Sequence, residues 1–169
     1  MPRILLVDDE HEVLSRLRRA IHAMPEDTFT CQTIVEIYQA PDQALARARH
    51  THFDLVIADW RMPAMSGVAF LTALVALQPG IARLVLSGHG DFLSEAEAIH
   101  RIGVFHFISK PWHDEHLRLQ MRGAMDHRRS LDRRLSDTEQ PRHQTLGTAP
   151  PLQPIHLRFD PILGFELFG

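Results

Sequence analysis

The sequence lacks the features that mark secreted, membrane-spanning or strongly basic nucleic-acid-binding chains. Cys31 is the only cysteine, so no disulfide can form within the chain, and this is typical of a reducing cytosol. The net charge of -3 creates no strong field that would attract the molecule to nucleic acid or anionic lipid. The apolar run after Arg3 ends at Asp8, which is too short for a signal peptide or a membrane span. These absences predict a cytoplasmic protein without membrane contact.

What the sequence contains is a regular alternation of short apolar runs and amphipathic stretches. Five short, mainly apolar runs predict strands: Ile4–Val7, Ile34–Ala40, Leu55–Ala58, Leu84–Leu86 and Val104–Ile108. Segments that favour a helix follow them: Glu10–Met24, a segment over 42–50, Met65–Leu77, Phe92–Ile102 and a last helix that begins near Trp112. Because strands that are apolar throughout are buried on both faces, we predict a doubly wound α/β fold, with helices on both faces of a parallel sheet.

Polar side chains follow four of the five predicted strands directly. They are Asp8 and Asp9 after the first strand, Asp59 after the third, Ser87 after the fourth and Lys110 after the fifth. The carboxyl ends of parallel strands meet at one edge of the sheet, so we expect these residues to converge there. Three carboxylates in one place repel each other unless a cation lies among them, and oxygen ligands with room for water suit Mg²⁺.

This set of residues predicts phosphoryl transfer to an aspartate. Asp59 would be the nucleophile and would form an acyl phosphate. Asp9 and Asp59 would hold Mg²⁺ directly, and Asp8 would hold it through water. Lys110 would pair with one phosphoryl oxygen, and Ser87 would donate a hydrogen bond to another.

Four stretches, in this order, resemble the receiver domains of bacterial two-component response regulators over residues 3–127. They are ILLVDDE (4–10), DLVIADWRMPAMSG (54–67), LVLSGHGD (84–91) and FISKPW (107–112). The resemblance implies a flavodoxin-like fold with strand order 2-1-3-4-5, and a histidine kinase or phosphotransfer protein as phosphoryl donor. It also implies that the backbone carbonyl of Arg61 is a further metal ligand. Ser87 and Phe107 match the family's switch pair, although Phe107 lacks the hydroxyl of the tyrosine that many relatives carry.

Simpler interpretations exist for the same residues. Asp8 and Asp9 could cap the first helix, and Ser87 could be an ordinary turn residue. Lys110 could be a solvated lysine at a strand end. His113 and His116 have a spacing that can hold zinc, but no further ligands accompany them, so surface histidines are expected. The arginines at 128, 129, 133 and 134 form a basic patch that is expected to be a solvated helix face.

The composition predicts three parts of the chain. Residues 1–127 form the receiver domain, and 128–136 continue its last helix. Residues 137–169 comprise a linker that contains several prolines, followed by an apolar tail. Pro161 and Gly164 oppose a continuous helix in that tail, so we expect an extended or kinked peptide that binds the receiver's own output face, a second copy or another protein.

Three functions remain open at this point. The first is a signalling switch that is not otherwise an enzyme, acts on a downstream protein or output domain and can form a homodimer; the short end of the chain disfavours direct DNA binding. The second is the N-terminal input module of a larger signalling enzyme, with a cyclic-di-GMP phosphodiesterase or ATPase output domain. The third is an aspartyl-nucleophile phosphatase, which is disfavoured because Arg61 occupies the position of the usual second aspartate.

Overall fold

The computed structural model describes residues 1–25, 32–88, 102–104, 106–138, 156–160 and 164–168. The strands are β1 (Arg3–Val7), β2 (Ile34–Tyr38), β3 (Leu55–Asp59), β4 (Ala82–Ser87), β5 (His106–Ser109), β6 (His156–Asp160) and β7 (Gly164–Phe168). The helices are α1 (His11–His22), α2 (Pro41–Ala48), α3 (Gly67–Leu77) and α4 (Asp114–Thr138). The helix predicted over Phe92–Ile102 and most of the predicted linker lie outside the described residues.

The first five strands form one parallel sheet in the order β2-β1-β3-β4-β5, which confirms the predicted fold. The register aligns the ends of neighbouring strands, since Val7 pairs with Ala58, Asp59 with Leu86, and Ser87 with Ser109. The carboxyl ends of β1, β3, β4 and β5 therefore lie side by side at one edge.

Each face of the sheet packs against its own layer of helices. Residues at alternate positions of β1 enter different cores: Ile4 and Leu6 pack with residues of α1 and α4, whereas Leu5 and Val7 pack with residues of α2 and α3. All four of these residues are fully buried. Burial on both sides explains why the strand is a continuous apolar run and does not alternate with polar residues.

Several boundaries differ from the sequence prediction. β4 is longer than predicted, and both Asp59 and Ser87 are the last residues of their strands and do not follow them. The last helix begins at Asp114, two residues later than predicted, and continues to Thr138. Backbone hydrogen bonds extend β3 to Asp59 and β4 to Ser87. A hydrophobicity pattern cannot show that these polar residues still pair with a neighbouring strand.

Arg128 does not belong to a solvated basic patch as predicted. Its guanidinium forms an ion pair with Asp54, and both side chains are largely buried. The other carboxylate oxygen of Asp54 accepts a hydrogen bond from the backbone N–H of Arg3 at 2.7 Å. The pair connects α4 to the residue before β3, at the edge of the sheet opposite the aligned strand ends.

Residues 156–168 supply a second, separate sheet. β6 and β7 pair antiparallel, with Leu157 opposite Leu167 and Phe159 opposite Phe165. Both segments are extended, and the residues between them, 161–163, lie outside the described part of the chain.

Glu36 joins three elements at the β2 edge of the large sheet. Its carboxylate accepts hydrogen bonds from Arg3 of β1 at 2.6 Å, from Arg47 of α2 at 2.9 Å and from the hydroxyl of Tyr38 at 3.1 Å. The hydrogen bond from Arg47, with smaller contributions from Arg3 and Tyr38, lowers the pKa of Glu36 from 4.5 to about 2. The ionised form is therefore favoured in the folded state.

We predict that Glu36→Gln lowers the free energy of unfolding at neutral pH by about 1–2 kcal/mol. The stabilisation from a carboxylate with a depressed pKa is fully present above its unfolded-state pKa of 4.5 and is lost as the pH falls towards 2. The difference between variant and parent should therefore shrink as the pH falls through this window in urea denaturation. Glu12→Gln, which removes an exposed carboxylate from the first turn of α1, is the control and should lower the free energy of unfolding by only about 0.5 kcal/mol or less. An equal loss in both variants would contradict the prediction.

Candidate functional site

Two buried carboxylates lie at the ends of adjacent central strands. Asp8 directly follows β1 and is 0% exposed, and Asp59 ends β3 and is 6% exposed. One oxygen of each side chain accepts a backbone hydrogen bond from two residues further along, Asp8 from Glu10 and Asp59 from Arg61, both at 2.9 Å. These bonds hold both carboxylates in a fixed orientation, since each backbone N–H belongs to the turn that leaves the strand.

Lys110 lies between the two carboxylates. Its backbone N–H donates to the carbonyl of Ser87 at 2.8 Å, which continues the pairing of β4 with β5, and the peptide bond to Pro111 is cis. Its ammonium is 2.7 Å from Asp8 Oδ2 and 2.6 Å from Asp59 Oδ1. Side chains at the carboxyl ends of β1 and β3 therefore both contact the ammonium of Lys110, which directly follows β5.

The pKa values of Asp8 and Lys110 respond to burial and to each other. Burial raises the pKa of Asp8, and the hydrogen bonds from Lys110 and from the backbone of Glu10 oppose this rise. Burial alone would lower the pKa of Lys110, but its hydrogen bonds to Asp59 and Asp8 outweigh that effect, so the net pKa is raised. Lys110 is therefore a cation at neutral pH, and one positive charge faces two carboxylates.

Asp9 is placed differently from its neighbour. It is partly exposed, and its backbone carbonyl accepts a hydrogen bond from the side chain of Gln39 at 2.9 Å. Within the part of the chain that the structure describes, no three His, Cys, Asp or Glu side chains are grouped so that they could hold a metal ion. The side chains of Asp8, Asp9 and Asp59 thus do not form a single three-carboxylate cluster. The structure brings together Asp8 and Asp59 around Lys110.

The available donors nevertheless fit Mg²⁺. This ion accepts one or two protein carboxylates and retains several waters, so it does not require a closed cage of three side chains. Asp8 and Asp59 carry more negative charge than Lys110 neutralises, and Glu10 lies 3.8 Å from the same ammonium. An excess of hard oxygen ligands at a strand-end edge suits a small divalent cation.

Ser87 and Phe107, the switch pair that the family resemblance implies, occupy positions on one face of adjacent strands. Ser87 is 1% exposed, and its hydroxyl donates to the carbonyl of Gly88 at 3.0 Å. The ring of Phe107 meets Trp60 edge to face, with ring centroids 5.7 Å apart. Trp60 follows Asp59 directly, so this contact joins the carboxylate loop to β5. The sequence offered no sign of it, because the two rings are distant in the chain.

Gly67 supports the loop after Asp59, a role that the sequence analysis did not assign. Its N–H donates to the carbonyl of Trp60 at 2.9 Å. A Cβ at this position would lie 2.4 Å from the backbone oxygen of Asp59 and 2.9 Å from Cα of Trp60. Ser66 caps α3 by accepting the N–H of Ala69 at 3.2 Å. Any side chain at 67 would push the start of α3 away from the strand end that carries Asp59.

His113 and His116 do not form a zinc site with other described residues. His116 packs edge to face on His106, with centroids 5.9 Å apart, and its Nε2 accepts a hydrogen bond from the side-chain amide of Gln120 at 3.1 Å. His113 is exposed. Burial, followed by the proximity of His116, lowers the pKa of His106 to about 4. His106 and His116 therefore have a packing role between β5 and α4.

Comparison with known proteins identifies the family that has this arrangement of residues. The family model of the response regulator receiver domain matches residues 4–122. The chain belongs to this family. The match confirms the predicted resemblance, and the receiver is a phosphorylation-dependent signalling switch of the two-component type.

Several curated relatives are transcriptional regulators that are much longer than this chain. The hydrogenase transcriptional regulatory protein HoxA of Cupriavidus necator is 30% identical over 123 residues, which is 73% of this chain and 24% of that protein. The C4-dicarboxylate transport regulator DctD of Rhizobium meliloti is 30% identical over 128 residues, which is 76% of this chain and 26% of that protein. The chain thus spans about a quarter of the length of these relatives.

Solved structures agree with the fold. The signal receiver domain of an HD domain-containing protein from Pseudomonas fluorescens has a TM-score of 0.67 and 31% identity, and the match covers 76% of this chain and 98% of that one. The structure of FixJ-N has a TM-score of 0.63 and 29% identity, and the match covers 75% of this chain and 95% of that one. None of the helices in the described part of the chain has the length and apolar character needed to cross a bilayer.

We predict that Gly67→Ala lowers the free energy of unfolding by about 1–3 kcal/mol, because backbone atoms must move to admit the methyl group. Gly80→Ala is the matched control, since a Cβ there would meet nothing within 4 Å. Chemical denaturation of both variants, followed by tryptophan fluorescence, measures the difference. If Gly67→Ala proved as stable as Gly80→Ala, the close approach to Asp59 would not constrain the loop.

Proposed function

We propose that Asp59 accepts a phosphoryl group from a sensor histidine kinase or a phosphotransfer protein. The observation that carries this proposal is the pair of buried carboxylates, Asp8 and Asp59, at the ends of adjacent strands with the Lys110 ammonium within 2.7 Å of both. A structural ion pair needs only one carboxylate for one lysine. The second carboxylate is costly to bury, so its retention favours a chemical role.

Each residue of the site would have its own role in the phosphoryl transfer. A carboxylate oxygen of Asp59 attacks phosphorus, the bond from phosphorus to the donor's histidine nitrogen breaks, and the released imidazole takes up a proton from solvent. Lys110 moves with its charge from the Asp59 carboxylate to a phosphoryl oxygen. Ser87 turns its hydroxyl from the carbonyl of Gly88 towards another phosphoryl oxygen.

Mg²⁺ would be held by Asp9, Asp59 and the backbone carbonyl of Arg61, with Asp8 reached through water. Its chemistry there is to offset negative charge on the transferring group. Arg61 N–H donates to Asp59 Oδ2 at 2.9 Å, so the residue that would supply the carbonyl ligand lies in the turn beside the acceptor. Arg61 occupies the position of the acid/base aspartate of aspartyl phosphatases, which supports a switch over turnover of free phosphate esters.

The output of the switch would pass through β5 to a downstream protein or output domain. Lys110, Ser87 and Phe107 lie on or beside β4 and β5, so a phosphoryl group that engages Lys110 and Ser87 displaces groups next to Phe107. The surface around β5 and α4 would bind the partner or a second copy of the chain. Direct DNA contact is not part of this proposal.

A second candidate, an input module for a larger signalling enzyme, has one observation in its favour. α4 continues to Thr138, beyond residue 122 where the family match ends. A helix that extends past the receiver can transmit a rotation or displacement to a following domain. An output phosphodiesterase or ATPase would then be regulated by the same phosphorylation at Asp59.

We predict that Asp59→Asn abolishes phosphorylation by acetyl phosphate and Mg²⁺, because the amide is not a nucleophile of comparable strength. Intact-mass spectrometry should show one added phosphoryl group on the parent protein and none on the variant. Asp42→Asn, at an exposed position at the start of α2, should be phosphorylated like the parent. Undiminished incorporation in Asp59→Asn would place the acceptor elsewhere.

We predict that Lys110→Met tightens Mg²⁺ binding by about three- to tenfold, because the variant removes the cation that competes for Asp8 and Asp59. Asp9→Asn should weaken binding by about tenfold or more, since a direct ligand is lost. Trp60 fluorescence reports both titrations in a Trp112→Phe background, which leaves one tryptophan. Weaker binding in Lys110→Met, or no change in Asp9→Asn, would contradict the proposed ligand set.

A further inference from the structure

The hairpin formed by β6 and β7 has a sequence that is divided between its two faces. Cross-strand partners in an antiparallel pair share a face, and successive residues alternate between faces. The register pairs Leu157 with Leu167 and Phe159 with Phe165, so these four residues occupy positions on one face. The opposite face is largely polar: His156, Arg158, Asp160, Gly164, Glu166 and Phe168.

The charged pair on the opposite face fits exposure to water. Arg158 is opposite Glu166, and opposite charges at such positions stabilise a hairpin. A hairpin of two strands is at best marginally stable in water and requires a surface that covers its apolar face. The division between faces therefore indicates that one side of this hairpin packs against protein.

The structure places a receiver strand beside that hairpin. β7 lies next to β5, and β5 is an edge strand of the five-stranded sheet. The hairpin remains a separate sheet among the described residues, so it lies against β5 without extending the hydrogen-bonded ladder. Edge strands expose unpaired backbone groups, and many proteins cover them with another part of the chain.

We infer that the hairpin β6–β7 docks its apolar face against the β5 side of its own receiver and covers that edge. Residues 139–155 connect α4 to β6, and such a tether keeps the local concentration of the hairpin high relative to a separate molecule. The docked hairpin occupies the surface beside the strand that carries Phe107 and leads to Lys110. It thereby competes with any partner that binds at this edge. The inference does not depend on phosphorylation of Asp59.

Amide hydrogen exchange of the full chain tests the docking. Phe159→Lys places a charge on the apolar face and should raise exchange at Phe107, Ile108 and Ser109 by about tenfold, since a weakened contact opens more often. Phe168→Lys makes the same substitution on the opposite face and should leave exchange at β5 unchanged. Phe165→Lys, across from Phe159, should reproduce the effect.

Three results would overturn the inference. Equal exchange at β5 in the parent and in Phe159→Lys would show that the hairpin does not cover this edge. A rise that extends equally to β1 and β3 would show loss of the whole receiver and not a local release. Protection at β5 that falls when the parent protein is diluted would show that a second copy supplies the hairpin. Phosphate incorporation at Asp59 in the parent protein tests the proposed function separately, because it does not depend on whether the hairpin covers β5.

Discussion

The receiver depends on one ammonium that lies between two buried carboxylates. Asp8 and Asp59 are buried at neighbouring strand ends, and the Lys110 ammonium is the positive group that contacts both carboxylates. The lysine contacts both only because β1, β3 and β5 end at the same level of the sheet. The geometry of the site therefore depends on the register of the sheet. A shift of one residue in any of these strands would separate the three charged groups.

The same constraint explains what the sequence could and could not predict. Strand positions and the residues Asp8, Asp59 and Lys110 follow from local patterns, since continuous apolar runs end in polar residues at each site. The pairing of Arg128 with Asp54, 74 residues apart, has no local pattern and was mistaken for a solvated basic patch. Gly67 was missed for a related reason, because the backbone oxygen that excludes its Cβ belongs to a loop that only the fold brings near.

Packing contacts connect the site to residues that take no part in the proposed phosphoryl transfer. Trp60 follows Asp59 directly and contacts the ring of Phe107 in β5 edge to face. On the opposite side of the sheet, the guanidinium of Arg16 lies 4.5 Å from the ring of Trp112 and donates to its carbonyl at 2.9 Å. Arg16 of α1 therefore holds the segment directly after Lys110 against the helix layer on this side of the sheet.

The distribution of apolar and charged surface limits where an additional element can attach. Both faces of the five-stranded sheet are occupied by helices, so an apolar hairpin can reach the sheet only at its edges. The β2 edge carries Glu36 with its partners Arg3 and Arg47, and covering these charges would remove them from water at considerable cost. The β5 edge presents no comparable cluster among the described residues. An amphipathic hairpin in the same chain therefore covers β5, the strand that carries Phe107, at a lower desolvation cost.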